Sequence, residues 1–307
     1  MKKQVNKVGI VVEYNPFHNG HKYQLDWVFK NIQNAEITIA MSKKYTQRGE
    51  IACASFYQRK RIAKKFGVKK VIPLNIEISA QAAHIFARES VLKLAAKGIK
   101  YLVFGSETGD ASVFVTIATT IKNNLGKYNL LVKKYLKEGG NSFPKATSLA
   151  LKDLVGYEIT MPNDILGLEY VKTIVDFNLD IIPIAIKRTV GFHDENINGG
   201  FASATKIRKM LAEGLDVSKY TPMKLTKIPK KRDISLTYDK FSKIVKTLPA
   251  SEISQFKMIS EGMENLFKKQ VYLAKNYDEF IANCTSKRYT SSRIKRAYLF
   301  TLLKIRK

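Results

Sequence analysis

Residues 8–21 read VGIVVEYNPFHNGH, an apolar run that passes through a polar turn into a segment of helical spacing. The first half, VGIVVEY (8–14), has the short, β-branched character of a buried strand, whereas HKYQLDWVFKNI (21–32) gathers its apolar residues on one helical face. The turn NPFHNGH (15–21) therefore falls where a strand gives way to a helix. At such a junction free backbone N–H groups and the helix dipole favour an anion. Gly20 lets backbone approach a phosphate closely. His18 and His21 add donors that can reach an α-phosphate as charge builds on it during in-line displacement. The competing reading is a structural histidine at a turn. The chain has only four His, however, and two of them fall within four residues here.

Working outward, EITIAM (36–41), VKKVIPL (68–74), IKYLVFG (99–105) and DIIPIAIKR (180–188) read as further strands. SFYQRKRIAKKFG (55–67) and the stretches near 81–97 and 164–177 read as helices between them. This alternation predicts an α/β fold with a Rossmann-like parallel sheet, in which ligands bind beyond the carboxyl ends of the strands. Residues 111–160 are Lys-rich and helical, broken at Gly139 and Gly140, and are expected to be an insertion. After ATKIRKMLAEG (204–214) strand signals thin out, KLTKIPKKRD (224–233) suits a linker or exposed turn, and a helical pattern resumes near 250. The expected division is a catalytic domain over 1–212 and a basic, mainly helical domain over 213–307.

The 307 residues carry 53 Lys and Arg against 26 Asp and Glu, a net charge of +27 that draws polyanions. From residue 281 to the end there are eight basic residues and no acid, so polyanion contact is expected there rather than a merely solvated face. The apolar run at 8–12 is too short for a signal segment, and no stretch approaches the roughly 20 apolar residues of a spanning helix. Cys53 and Cys284, far apart, supply neither a disulfide framework nor a zinc ligand set, and a cytoplasmic protein with two reduced thiols is expected.

A second phosphate element is SATKIRK (203–209), where Ser203 or Thr205 can cap a helix while Lys206 and Arg208 neutralise β- and γ-phosphates. The pair of elements resembles the H-x-G-H adenylyltransferase superfamily related to class I aminoacyl-tRNA synthetases. QRGE (47–50), FGSETGD (104–110), NDILGLEYV (163–171), IKRT (186–189), ASATKIR (202–208) and TSKRYTSSRIKRAYLFTLL (285–303) follow in order. With these motifs the chain resembles the tRNA(Met) cytidine acetate ligase family over nearly its whole length. The resemblance implies a HUP-type nucleotidyltransferase domain that forms acetyl-adenylate from acetate and ATP. The acetyl group then passes to N4 of the wobble cytidine of elongator tRNA(Met).

Carried onto this sequence, the family's ATP site covers Val11, Val12, Glu13, Tyr14, Asn15, Pro16, Phe17, His18, Asn19, Gly20, His21, Lys22, Tyr23 and Gln24, with Gly105, Asn163 and Arg188. Arg188 offers a planar fork for phosphate, and Asn163 offers a donor and an acceptor, or else an N-cap. Glu13 and Glu107 are expected near the crevice, for Mg²⁺ accompanying the nucleotide or for proton handling, or else to fix loop backbone. In the terminal segment Lys287, Arg288, Arg293, Lys295 and Arg296 are expected on phosphates. Tyr289 either stacks on a base or packs beneath the helix. Ile294, Tyr298 and Leu302 face the core in this reading, and Arg293, Arg296 and Lys304 point outward. Two departures from the family stand out: Lys43 and Lys44 before QRGE, and a shortened region between the ASAT turn and the last helix. The alternatives are a small-molecule adenylyltransferase, which needs no acid-free basic tail, and a non-catalytic RNA-binding protein holding ATP.

Overall fold

The computed structural model describes residues 4–138, 140–188 and 200–307. Gly139 of the Gly–Gly break and Thr189 of IKRT lie outside the described residues. Five strands, β1 (Asn6–Val12), β2 (Ala35–Ser42), β3 (Lys70–Leu74), β4 (Tyr101–Ser106) and β5 (Ile182–Lys187), form one parallel sheet in the order β3-β2-β1-β4-β5. The central strand is apolar on both faces: Val8, Ile10 and Val12 pack with α1 (Asn19–Asn31) and α2 (Phe56–Lys65), while Val11 meets the opposite cluster. Pro73 and Pro183 fall in β3 and β5, the two edge strands, where a missing N–H costs least. Because the chain returns from β3 past β1 to β4, the strand order reverses between β1 and β4. That reversal is where a ligand crevice opens.

β1 ends at Val12, two residues short of the expected end, because Tyr14 adopts a positive φ of 51°. The second face of the sheet is covered by α4 (Ala83–Ala95) and α8 (Pro162–Asp176), with the short α3 (Ile76–Ser79) preceding α4. Helices α5 (Ala111–Asn123), α6 (Leu125–Glu138) and α7 (Phe143–Val155) fill residues 111–155. Phe114, Ile117 and Ile121 of α5 are buried in the same cluster as β4 and α8, and Tyr128 and Val132 of α6 and Ala150 and Leu151 of α7 join it, with α6 and α7 packed against each other.

Helix α9 (Ala204–Ala212) has its own small cluster with Val217 and Tyr220. The segment 224–233 is irregular but anchored, since Leu225 and Ile228 pack inward and Arg232 donates to the Ala52 carbonyl at 2.9 Å. Beyond it α10 (Tyr238–Thr247), α11 (Ala250–Ile253), α12 (Met263–Leu273), α13 (Tyr277–Cys284) and α14 (Ser291–Leu302) enclose an aromatic core. There Phe241 stacks on Tyr298 with ring centroids 4.0 Å apart. Ala80, Tyr45, Ile51 and Ile76, all from the N-terminal half, join this cluster. The joint is the QRGE loop. A Cβ on Gly49 (φ +81°) would stand 2.7 Å from the backbone of α14, so only glycine permits that approach. Among the described residues no helix is long and apolar enough to cross a membrane.

Candidate active site

Helix α1 starts at its histidines because they cap it. His18 is the N-cap, and its Nδ1 accepts the Gly20 N–H at 3.1 Å. Nδ1 of His21 accepts the His18 N–H at 3.2 Å, completing a reciprocal capping box built from two imidazoles. The rings stack with centroids 3.7 Å apart. Burial, then Arg188 and Arg208, push the His18 pKa down to about 3. His21 is held well below its ordinary value by burial, then by His18 and Arg188. A neutral ring whose Nδ1 accepts a backbone N–H carries its proton on Nε2. Each ring therefore keeps one N–H donor that its own helix does not use. Gly20 has a reason other than the one expected from sequence: a Cβ there would sit 3.0 Å from the His18 ring.

The turn is clamped from both sides. Asn15 Oδ1 accepts the Cys53 N–H at 2.7 Å, and Arg208 Nη1 donates to the Asn15 carbonyl at 2.8 Å. Asn19 Nδ2 donates to the Gly200 and Lys219 carbonyls, and Thr221 Oγ1 to the Phe17 carbonyl. Ser203 caps α9 by accepting the Lys206 N–H at 3.2 Å, which brings Thr205 and Arg208 against the turn.

These elements border a cleft of about 990 Å³. Sixteen of the expected nucleotide residues line it: Val11, Val12, Glu13, Tyr14, Asn15, His18, Gly20, His21, Tyr23, Gln24, Gly105, Asn163, Arg188, Ser203, Thr205 and Arg208. Five do not. Phe17 is fully buried and stacks on Phe66, Pro16 is buried beside it, and Asn19 is turned toward the 200–220 segment. Lys22 pairs with Asp26 at 3.2 Å, and Lys206 lies away from the cleft wall. Lys43 and Lys44 are exposed and also lie off it.

Asn163 is not an N-cap; Met161 holds that position, and Asn163 Nδ2 donates to Glu107 Oε1 at 2.5 Å. Glu107 also accepts the Asp164 N–H and faces Arg188 Nε at 3.8 Å, so of its two expected roles it fills the positioning one. Asp164 in turn accepts from Ser106, Glu107 and Thr108, fixing the loop after β4. At Gly105 an added Cβ would meet Arg188 at an ordinary 3.6 Å, so the protein itself does not demand glycine there. Among the described residues no group of three or more His, Cys, Asp or Glu is spaced to hold a metal ion.

The terminal segment reaches the same cleft, though differently than expected. Arg288, Arg293 and Arg296 line it; Lys287, Tyr289 and Lys295 do not. Tyr289 is no free stacking platform, because it is 8% exposed and its hydroxyl donates to the Glu261 carbonyl at 2.8 Å. The guanidinium groups of Arg293 and Arg288 lie 4.9 and 5.8 Å from its ring centroid. Arg296 does not point outward: at 7% exposure it donates to the Gln47 carbonyl. Lys295 pairs with Glu50 at 2.8 Å, and Arg288 and Arg293 both approach Glu261. Ile294, Tyr298 and Leu302 are buried as their spacing predicts. The cleft's far wall (His84, Phe143, Glu169, Tyr170 and Ser260 among its residues) was missed from sequence. Those side chains come from four separate segments, and only Glu169 and Tyr170 fall within a quoted motif, NDILGLEYV (163–171).

A parallel sheet reversing at β1 and β4, with paired imidazoles capping the first crossover helix, defines the nucleotidyltransferase class. Residues 5–307 match the HIGH Nucleotidyl Transferase family. The tRNA(Met) cytidine acetate ligase of Mycoplasmopsis synoviae is 54% identical over 98% of both chains, and that of Anoxybacillus flavithermus is 35% identical over 98% of this chain and 78% of its own. A crystal structure of Thermotoga maritima TmcAL bound with alpha-thio ATP superposes with a TM-score of 0.85 at 28% identity, covering 99% of this chain and 76% of that one. The chain belongs to the tRNA(Met) cytidine acetate ligase family. This chain covers 78% of the Anoxybacillus chain and 76% of the Thermotoga one, but 98% of the Mycoplasmopsis one.

Proposed function

We propose that this protein is an ATP-dependent tRNA(Met) cytidine acetate ligase acting in the cytoplasm. Acetate oxygen bonds to the α-phosphorus of ATP as the bond to the bridging oxygen breaks, giving acetyl-adenylate and pyrophosphate. N4 of the wobble cytidine of elongator tRNA(Met) then bonds to the acetyl carbon, and AMP leaves. One observation carries the reading: a single cleft is lined both by His18 and His21, whose Nε2–H donors the helix cap does not use, and by Arg293 and Arg296 of the last helix.

In this reading the two neutral imidazoles donate from Nε2 to the α-phosphoryl oxygens, whose charge grows in the transition state. Fixed donors in a partly dry site act there without reorganising. Arg188 and Arg208 supply the positive charge toward the phosphates, and the α9 N-terminus adds its dipole. Mg²⁺ would travel with the triphosphate, held by phosphate oxygens and water. Glu107 is already engaged by Asn163 and Arg188, and the described residues offer no carboxylate cage. Arg288 and Arg293 sit where an RNA backbone would enter, and Lys287 lies beside them in sequence on the exposed side.

The test is incubation with ATP, labelled acetate and a tRNA(Met) transcript, followed by nucleoside mass analysis. Acetylated cytidine with AMP and pyrophosphate formed in equal amounts is expected. ATP bound with no label in the RNA would overturn the proposal in favour of a binding protein.

A further inference from the structure

Acetyl transfer to an exocyclic amine needs a proton acceptor, because the N4 proton must leave as the C–N bond forms. The paired histidines are committed as donors, with Nδ1 of each already accepting a backbone N–H. Four carboxylates line the cleft: Glu13, Glu50, Glu169 and Glu261. Glu50 is paired with Lys295 at 2.8 Å, Glu169 with Lys172 at 3.2 Å, and Glu261 with Arg288 at 3.1 Å. A cation at that distance stabilises the carboxylate and makes it a poor base. Glu13 alone of the four has no ion pair among the described residues. Its Oε1 accepts the Gln47 N–H at 2.6 Å, and no described residue donates to its Oε2.

The position fits as well as the chemistry. Glu13 follows β1 directly and precedes the histidine turn, so it stands beside the nucleotide end of the cleft. Its hydrogen-bond partner Gln47 also receives Arg296 of α14, so the carboxylate lies on the seam toward the arginine-lined end. Its backbone is fixed by the buried Arg59, which donates Nη1 to the Glu13 carbonyl at 2.5 Å and Nε to Ala54 at 3.2 Å.

We propose that Glu13 is the general base of the second half-reaction, accepting the N4 proton of the cytidine through Oε2. This rests on the ligase reading above. N4 bonds to the acetyl carbon, the bond from that carbon to the AMP oxygen breaks, AMP leaves with the electron pair, and the N4 proton passes to the carboxylate and then to solvent. Burial raises the Glu13 carboxyl above the ordinary range, with the Gln47 N–H, Arg59 and Arg208 opposing and Glu50 adding to the rise. Tyr170 of α8 faces the same carboxylate. The net rise brings the group closer to the range of an effective base at neutral pH.

Glu13→Gln separates this role from a structural one, because a glutamine Oε1 still accepts the Gln47 N–H. Two rates are measured on the full-length protein: acetate-dependent exchange of labelled pyrophosphate into ATP, and single-turnover acetyl transfer to tRNA(Met) across pH. We expect exchange to stay within a few-fold of the unsubstituted protein. Transfer should fall on the order of 10²-fold or more and lose its rising limb with pH. Glu77→Gln, at an exposed carboxylate that lies off the cleft, should leave both rates near normal. Equal loss of exchange and transfer, or transfer that survives the substitution, overturns the assignment. Absence of acetate-dependent exchange in the unsubstituted protein would instead fail the ligase reading itself.

Discussion

Residues 15–21 contain no cation, whereas residues 281–307 contain eight and no acid, yet the structure makes the first the more open anion site. At the turn, His18 and His21 use Nδ1 to cap α1 and keep a donor each for a ligand. In the terminal segment most cations are already engaged. Arg288 and Arg293 meet Glu261, Lys295 meets Glu50, Arg306 meets Glu252, and Arg296 donates to Gln47. Formal charge along a segment therefore overstates what it can offer to RNA. The counter-charges lie tens or hundreds of residues away.

The largest effect should come from the turn. His21→Ala removes a donor aimed at developing charge and should lower acetate-dependent pyrophosphate exchange by about 10²–10³-fold. Affinity for tRNA should be unchanged by filter binding; a parallel loss of both would merge the two regions into one site. Next, Gly49→Ala forces a side chain into the α14 backbone at a positive φ and should cost about 2–3 kcal/mol. Urea unfolding reads this out, and an unchanged midpoint would mean that the QRGE loop does not fasten the last helix.

The terminal cations can be ranked. Lys287 carries no ion pair among the described residues, and Arg288 lies 59% exposed at the cleft. Reversal to Glu at either should reduce the salt slope of tRNA binding by about one unit per lost phosphate contact. Arg296→Glu should act chiefly on folding, since it places a carboxylate in a buried site. Equal slopes for all three would show that burial does not sort them.

The smallest effect concerns pH. His18 stays neutral in the folded chain down to about pH 3 but takes a proton near its ordinary value once unfolded. Above about pH 6.5 both states are neutral and the group contributes no pH dependence. Below it the unfolded chain alone gains a proton, so stability falls as pH drops from about 6.5 toward 3. His18→Asn keeps an N-cap and removes this titration. Urea midpoints for that variant should decline less steeply between pH 6.5 and 4; an identical decline would refute the depressed value.

By itself the sequence determined the parallel sheet, the strand-to-helix turn with its two histidines, and the capped basic helix at Ser203. Each is written in contiguous residues whose periodicity and capping chemistry act over one or two turns of chain. It left Tyr289 open between a base and the core and put Arg296 on the wrong side of its helix. Those outcomes depend on which distant surface each residue meets. Only the tertiary structure decided that Gly49 seats the last helix on the QRGE loop, that Glu261 and Glu50 engage the terminal cations, and that Glu13 has no ion pair among the described residues. Contacts between residues hundreds of positions apart leave no local period to read, because burial and charge pairing are settled by packing in space.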